Sequence, residues 1–189
     1  MPERAAAAIR LATPADVPAL VALESRYYIG NLPPELRDNG FISIQHSADW
    51  FAAAVATGGI HVAEIAGDLV GFIGVAEMPS RAATQPGSFS RAMADLIEIT
   101  SFRGRLLASQ RVACRGPVLI AEQARGQGIY TAFNTVTREA YRDHFDVGVL
   151  FVAADNPRSL HTSTAKLGAE SLALFEVDGR CYHFLAYAF

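Results

Sequence analysis

The segment AEQARGQGIYTAF, residues 121–133, joins an apolar, strand-like run ending at Ile120 to a helical pattern through two glycines. The first turn of a helix that follows a strand has free N–H groups and the positive end of the helix dipole, so it favours a bound anion. Gly126 and Gly128 lack Cβ atoms, so a diphosphate could lie against the backbone, with Arg125 adding a cation. The alternative interpretation is a strand–helix connection in which the glycines serve only the turn geometry.

Two common nucleotide-binding motifs do not fit this segment. A dinucleotide-binding G-x-G-x-x-G needs a third glycine where Thr131 stands, and no acidic residue follows a second parallel strand at the expected distance. A P-loop needs Gly-Lys-Ser/Thr, which is absent from the chain. The residues therefore exclude both of these nucleotide sites.

The remaining sequence predicts a series of strands and helices. Strands are predicted by apolar and β-branched runs at 9–11, 60–66, 69–77, within 111–122, and at 147–154, 171–177 and 180–189. Helices are predicted after the caps Thr13, Ser47 and Asn156, and from the glycine pair to about residue 140. Residues 93–100 fit either a helix or a strand, and we prefer the helix. Gly67-Asp68 and Asp178-Gly179 are the expected hairpin turns. This order indicates a single α/β or α+β domain with a mixed sheet.

Composition narrows the class of protein. A chain of 189 residues fits one domain, and its formal net charge of −3 gives no basic field for nucleic acid or an anionic membrane. No apolar run reaches the roughly 18 residues that a bilayer requires, and the N-terminal residues lack the apolar core of a secretory signal. Cys114 and Cys181 are expected to be free thiols that act as small hydrophobes. We therefore expect a cytoplasmic protein that binds neither nucleic acid nor membrane.

The glycine pair with its flanks resembles the GNAT superfamily of acyl-CoA-dependent N-acetyltransferases, whose signature is Arg/Gln-x-x-Gly-x-Gly/Ala. The pattern can begin at Gln123 or at Arg125. We prefer Arg125, because the family's strand valine lies five residues before the arginine, where Ile120 stands. In that register the last position is Tyr130 instead of glycine or alanine, which adds bulk near the cofactor.

Four segments in the family's order carry the resemblance. Residues 9–24 look like its first strand and helix, 60–77 like its second and third strands, and 118–133 like its fourth strand and diphosphate-binding helix start. Residues 149–170 resemble its fifth strand and fourth helix, in which Asn156, Ser159 and Lys166-Leu167-Gly168 match an N…S…K-L-G pattern. Only residues 79–110 have no counterpart in the minimal fold.

The resemblance implies one GNAT-like domain over residues 1–189, with a loop and helix insertion around 79–110. Its sheet would be central, mixed, mostly antiparallel and twisted, with about six to seven strands flanked by helices. It also implies that acetyl-CoA or coenzyme A is bound and that an acetyl group passes to a primary amine; no metal is implied. The residues that would contact the cofactor are Val118, Leu119, Ile120, Arg125, Gly126, Gln127, Gly128, Ile129, Tyr130, Asn156 and Ser159.

The proton-transfer residues depart from the family pattern. Many relatives carry a tyrosine in the fourth helix shortly before the K-L-G glycine, whereas Ser163 and Thr164 stand there in this chain. His161 or Ser163 is a candidate acid; alternatively the thiolate leaves unassisted, or His161 simply faces solvent. Glu77 and Glu98 are candidate bases, although exposed carboxylates commonly have no chemical role.

Residues 27–41 match the segment that covers the acceptor in relatives. They contain the substrate-facing candidates Tyr27, Tyr28, Asn31 and Arg37, whose alternative roles are helix packing and a solvated charge. The insertion is a candidate lid over the same cleft. The acceptor would be a small-molecule or peptide amine, and a homodimer through the apolar residues 181–189 is a further expectation.

Two other functions remain open at this point. One is a non-catalytic acyl-CoA-binding or sensing module on the same fold, and the other is an interaction domain that binds no coenzyme A.

Overall fold

The computed structural model describes residues 6–189, so the first five residues of the predicted N-terminal segment lie outside it. Seven strands form one mixed sheet in the order β1-β2-β3-β6-β7-β9-β8. These strands are β1 (Ala8–Leu11), β2 (Ile60–Ile65), β3 (Asp68–Glu77), β6 (Val112–Ile120), β7 (Val147–Ala153), β8 (Glu170–Val177) and β9 (Arg180–Ala188). The β6–β7 pair is parallel, and the pairs β1–β2, β2–β3, β7–β9 and β8–β9 are antiparallel.

Five α-helices and a small hairpin complete the fold. The helices are α1 (Val17–Tyr27), α2 (Ala48–Ala56), α3 (Phe89–Ile99), α4 (Ile129–Tyr141) and α5 (Pro157–Ala165). The hairpin consists of β4 (Ser101–Phe102) and β5 (Arg105–Leu106). The predicted mixed, mostly antiparallel α/β fold with helices flanking the sheet is therefore confirmed.

Helix starts follow the caps that the sequence predicts. The Asp16 carboxylate accepts from the Thr13 amide at 2.7 Å, closing the short 3-10 turn that leads into α1. The Ser47 hydroxyl accepts from the Trp50 amide at the start of α2, and the Asn156 side chain accepts from the Ser159 amide at the start of α5. Ser47 and Asn156 each supply an acceptor for an N–H group that has no partner inside its helix, whereas at Thr13 the acceptor is the Asp16 carboxylate.

The two long hairpins turn where glycine follows a residue in the left-handed region. Asp178 and Gly179 have φ of 52° and 74°, as the sequence predicts for this turn. The first hairpin turns at Ala66 and Gly67, with φ of 51° and 88°, one residue before the predicted Gly67-Asp68. Asp68 is instead the first residue of β3.

The C-terminal strand is not a sheet edge. β9 lies between β7 and β8, and its register pairs Ala186 with both Val149 and Glu170. The expectation that residues 181–189 form a dimerising edge is therefore corrected, because both backbone edges of β9 are already paired. The outermost strands are β1 and β8.

The described residues form two compact units. The first runs to Val75 and includes Gly116–Thr137. Its core consists of apolar side chains from α1, α2 and strands β2, β3 and β6, namely Leu20, Leu23, Phe51, Val55, Ile60, Val62, Phe72, Leu119 and Ala121.

The second unit comprises Ala76–Arg115 and Arg138–Phe189. Its core includes Met93, Ile97 and Leu107 from the predicted insertion, together with Val149 and Phe184 of the sheet. The insertion is therefore more ordered than its loop-like composition suggests: α3 contributes the amphipathic face that closes this core.

None of the helices in residues 6–189 is both long and apolar enough to cross a bilayer.

Candidate cofactor site and acceptor segment

The turn between β6 and α4 presents a run of unpaired backbone donors. Within the described part of the chain, the amides of Gly126, Gln127, Gly128 and Ile129 have no hydrogen-bond acceptor. Ile129 is the first residue of α4, so this run includes the N-terminal donors that a helix cannot satisfy internally. Such donors, together with the helix dipole, form a site for an anion.

The backbone conformation of this turn gathers these donors. Gly126 and Gly128 have φ of 77° and 79°, whereas the intervening Gln127 is not in the left-handed region. Residues that alternate in hand direct successive N–H groups into one concavity, a known arrangement for anion binding. No described atom lies within 4 Å of the position that a Cβ on either glycine would take, so the concavity is open. This geometry fits a diphosphate.

Strand β6 offers backbone groups along one edge. The Ala121 amide donates to the Val70 carbonyl at 2.8 Å, which places that amide on the side of β3. Because successive residues of a strand direct their backbone groups to opposite edges, Val118 and Ile120 direct theirs away from β3. The parallel register with β7 covers Val112 to Cys114 of β6, before this stretch.

Arg125 makes contacts that the sequence did not predict. Its Nε donates to the Ile120 carbonyl at 2.9 Å and its Nη1 to the Asn39 carbonyl at 2.7 Å. Its backbone amide donates to the Glu122 carbonyl at 3.2 Å and is therefore not among the free donors. The guanidinium carbon also lies 5.4 Å from the centre of the Tyr27 ring. Arg125 thus ties the glycine turn to the segment that follows α1.

The two tyrosines of the expected acceptor segment make contacts within the first unit. The Tyr27 hydroxyl accepts from the Glu122 amide at 2.8 Å, just before the glycine turn. Tyr28 forms an isolated parallel bridge with Ile42, which closes the segment between α1 and α2 into a loop. Tyr27 is therefore a packing contact between α1 and the strand–helix connection.

Asn31 and Arg37 hold the shape of this loop. The Asn31 side-chain amide donates to the Ser25 carbonyl at 2.8 Å, near the end of α1. The Arg37 Nη2 lies 3.4 Å from the carbonyls of both Ile29 and Leu32. Asn31 thus has its partner in α1 and Arg37 has its partners within the segment, and any acceptor contact would be additional.

Asn156 and Ser159 lie in the second unit. Asn156 is 4% exposed, and its side chain accepts from the Ser159 amide at 3.2 Å. The N…S spacing of the sequence is therefore the spacing of a helix cap at the start of α5.

The expected proton-transfer residues are not brought together. His161 is exposed on α5, Ser163 is buried in the same helix, and Glu77 is exposed at the end of β3. None of the three hydrogen-bonds to another through its side chain.

Sequence reasoning missed one constellation in the first unit. Glu24 of α1 is fully buried, and its carboxylate contacts the backbone amide and the Nδ1 atom of His46, each at 2.7 Å. The two residues lie on different elements, and no motif links them. A glutamate within the apolar stripe Leu20, Leu23 and Tyr27 of α1 was the available signal.

Among residues 6–189, no cluster of His, Cys, Asp and Glu is arranged to hold a metal ion.

The fold is that of the GNAT-superfamily N-acetyltransferases. The chain is similar to the ribosomal-protein-alanine N-acetyltransferase from Brucella melitensis, with 20% identity, a TM-score of 0.61 and coverage of 96% of this chain and 99% of that one. It is also similar to a GNAT-family acetyltransferase from Streptococcus agalactiae, with 16% identity, a TM-score of 0.69 and coverage of 97% and 95%.

A third similar structure is yncA from Salmonella typhimurium, which was determined with its cofactor acetyl-CoA; the identity is 15%, the TM-score 0.60 and the coverage 96% and 93%. No family model matches the chain, and no curated protein matches it in sequence. The likeness therefore concerns the fold.

Proposed function

We propose that this protein transfers an acetyl group from acetyl-CoA to a primary amine. The observation that carries the proposal is the run of free amides at Gly126–Ile129, set in an open turn of alternating hand. The negative charge of a coenzyme A diphosphate suits these N–H donors and the positive end of the α4 dipole. The presence of acetyl-CoA in the Salmonella typhimurium structure of the same fold supports the assignment.

Different groups of the chain contact different parts of the cofactor. The amides of the turn hold the diphosphate, and the backbone of Val118 and Ile120 lies alongside the pantetheine arm. A backbone N–H of β6 polarises the thioester carbonyl, since fixed dipoles stabilise the negative charge that develops on this oxygen. Arg125 supports the turn through Ile120 and Asn39 and leaves the phosphate contacts to the backbone.

The acceptor class is a primary amine on a small molecule or a peptide. The name of the Brucella melitensis neighbour states that it acts on a ribosomal-protein alanine, so peptides with a free N-terminus belong in the first panel to be tried. The segment between α1 and α2 is the proposed acceptor side, because Tyr27 and Arg125 attach it to the cofactor turn.

Binding is tested first. Coenzyme A and acetyl-CoA should each raise the melting temperature in a thermal-shift titration, because a ligand that binds only the native state stabilises it. Adenosine diphosphate tests whether the nucleotide part binds without the pantetheine arm. A flat response to all three would contradict the proposal and favour an interaction domain.

Turnover is tested second. Release of free thiol from acetyl-CoA across a panel of peptide N-termini, polyamines, amino acids and amino sugars should identify at least one acceptor, and mass spectrometry should show the acetylated product.

The second candidate is a non-catalytic acyl-CoA-binding module. The specific observation in its favour is that α5 carries no tyrosine and that its His161 faces solvent. Clear coenzyme A binding with no thiol release from any amine class would support this module over the enzyme.

A further inference from the structure

The Glu24–His46 pair has the arrangement of a carboxylate–histidine dyad. Glu24 is 0% exposed, and its Oε1 lies 2.7 Å from the His46 Nδ1 while its Oε2 accepts from the His46 backbone amide at 2.7 Å. The His46 side chain remains 19% exposed. In the described part of the chain its Nε2 has no hydrogen-bond partner. One ring nitrogen is therefore held by a buried carboxylate, and the other faces outward.

This contact fixes the tautomer of the ring. A carboxylate accepts and does not donate, so the neutral imidazole carries its proton on Nδ1 and its lone pair on Nε2. A carboxylate in this position also stabilises the imidazolium that forms when Nε2 takes a proton. The dyad therefore presents a lone pair on Nε2 that can accept a proton.

Stability alone explains the pair poorly. Withdrawing a carboxylate completely from water is costly, and a buried ion pair is often no more stabilising than well-packed apolar side chains of the same volume. The neighbouring Leu20 and Leu23 show that this face of α1 is otherwise apolar. A buried carboxylate that accepts from the ring nitrogen and the backbone amide of one histidine has the geometry of the carboxylate–histidine pairs that move protons, which favours a chemical role.

Within the first unit, residues next to the dyad contact the carboxyl end of β6 and the core beneath it. Tyr27, one helical turn after Glu24, contacts the Glu122 amide just beyond β6. On the other side, the His46 ring lies 6.0 Å from Phe51, whose ring lies 5.5 Å from Phe72 of β3. Phe51, Phe72 and Leu119 belong to one core, so the ring that His46 contacts packs in the same core as β6.

The surroundings of His46 hold few other charges. Its contacts, among the described residues, are the Glu24 carboxylate and the rings of Trp50 and Phe51. The 3-10 turn that also packs on α2 carries Asp16, whose carboxylate is held by Arg10. Within residues 6–189, Glu24 is the only charged side chain that hydrogen-bonds or ion-pairs with the ring.

We infer that His46 is the proton acceptor for the amine and that Glu24 is its positioning residue, an inference that rests on the proposed acetyl transfer. The Nε2 lone pair takes one proton from the substrate ammonium, directly or through a water molecule. The freed amine lone pair forms a C–N bond to the thioester carbonyl carbon, and the C–S bond breaks with its electron pair leaving on the thiolate. The thiolate takes a second proton from the nitrogen, which keeps its third as the amide N–H, and His46 returns its proton to solvent.

The test uses His46→Asn, whose side-chain amide keeps a donor toward Glu24 but has no group at the Nε2 position. With an amine identified by thiol release, we expect kcat to fall about 100-fold or more, the usual contribution of a general base. The acid limb of the kcat/KM–pH profile should disappear, while the coenzyme A thermal shift is retained. Glu24→Gln should lower kcat less and displace the acid limb. The matched control is His144→Asn, which replaces an exposed histidine after α4. This variant should leave kcat and the acid limb unchanged.

Two further readouts separate chemistry from folding. Added imidazole should restore part of the activity of His46→Ala, which a purely structural histidine would not allow. Nitrogen-15 NMR of the wild-type ring should show the proton on Nδ1 in the neutral form.

The outcomes distinguish this inference from the proposed function. An active wild type whose His46→Asn variant folds and keeps its kcat and acid limb would overturn the dyad and leave acetyl transfer standing. A neutral ring protonated on Nε2 would also overturn it. A wild type that binds coenzyme A but acetylates no amine would refute the proposed function and this inference together.

Discussion

The Arg125 Nη1 donates to the carbonyl oxygen of Asn39 at 2.7 Å, joining residues 86 positions apart. Arg125 directly precedes the first glycine of the turn between β6 and α4, and Asn39 belongs to the segment between α1 and α2. The contact therefore attaches the proposed acceptor side of the first unit to its proposed cofactor turn. We therefore expect each of these two segments to help fix the conformation of the other.

Replacing Arg125 should chiefly cost stability. Arg125→Ala removes charge-assisted hydrogen bonds to Ile120 and Asn39, so we expect the free energy of unfolding to fall by about 2 kcal/mol. The coenzyme A thermal shift should persist, because the free amides remain. Urea unfolding and thermal-shift titration check both effects, with Arg158→Ala on exposed α5 as a control. Unchanged stability combined with lost coenzyme A binding would show instead that the guanidinium contacts the phosphate.

Adding a side chain at the glycine turn should abolish cofactor binding. Gly126→Ala and Gly128→Val each place a carbon at a left-handed position, which costs about 1 kcal/mol of strain, and each fills the open concavity. Gly67→Ala is the matched control, since Gly67 has φ of 88° and equally open surroundings in a hairpin turn. All three variants should melt a few degrees lower, and only the control should still be stabilised by coenzyme A. Undiminished coenzyme A affinity in Gly128→Val would refute the placement of the diphosphate.

Acid should weaken the first unit through Asp16. Hydrogen bonds from the Arg10 guanidinium and from Thr13 hold the pKa of this carboxyl well below its usual range. Because the folded-state pKa is lowered, the stabilisation is present above the unfolded value of about 3.9 and is lost as the pH falls below it. Asp16→Asn should therefore unfold more easily than the wild type by about 1 kcal/mol at neutral pH, the usual value of a helix cap.

This difference should shrink steadily between pH 5 and pH 2 in urea titrations, with both proteins compared at each pH. Asp38→Asn, an exposed aspartate without a hydrogen-bond partner among the described residues, should match the wild type at every pH. If the difference in unfolding free energy between Asp16→Asn and the wild type stayed constant down to pH 2, this linkage would be contradicted. In the second unit, the Arg111 guanidinium lowers the pKa of Asp146 to about 2 and adds stability in the same pH window.

The two thiols should differ in reactivity. Both cysteines are free, but burial raises the pKa of Cys114 to about 11, whereas Cys181 is exposed on β9. Thiolate is the reactive form, so a disulfide reagent should label the exposed Cys181 rapidly and the half-buried Cys114 much more slowly. Cys181→Ser should remove the fast phase and would also provide a clean background for thiol-release assays. Fast labelling of Cys181→Ser would mean that Cys114 is accessible in the native state.

Local chemistry accounts for what the sequence predicted well. Thr13, Ser47 and Asn156 start their helices because a side-chain or capping-box partner within three residues satisfies the free N–H groups. The Asp178-Gly179 turn forms where left-handed residues are adjacent, and the apolar run at 147–154 matches β7 to within one residue. These features depend on neighbours in the chain, so the residues themselves suffice to predict them.

Contacts between distant residues account for what the sequence could not decide. Arg125 has the position of a phosphate cation, yet the Asn39 carbonyl is a partner that only the fold brings within reach. The apolar tail at 181–189 was expected to offer an edge for a dimer, but sheet topology places β8 outside it. Glu24 and His46 belong to no motif and meet only when α1 packs beside the residues that precede α2. The sequence alone determined the seven strands of the main sheet, most of the helices and the position of the glycine turn. Tertiary packing decided which charged groups are engaged, because long side chains bind whatever partner the fold places beside them.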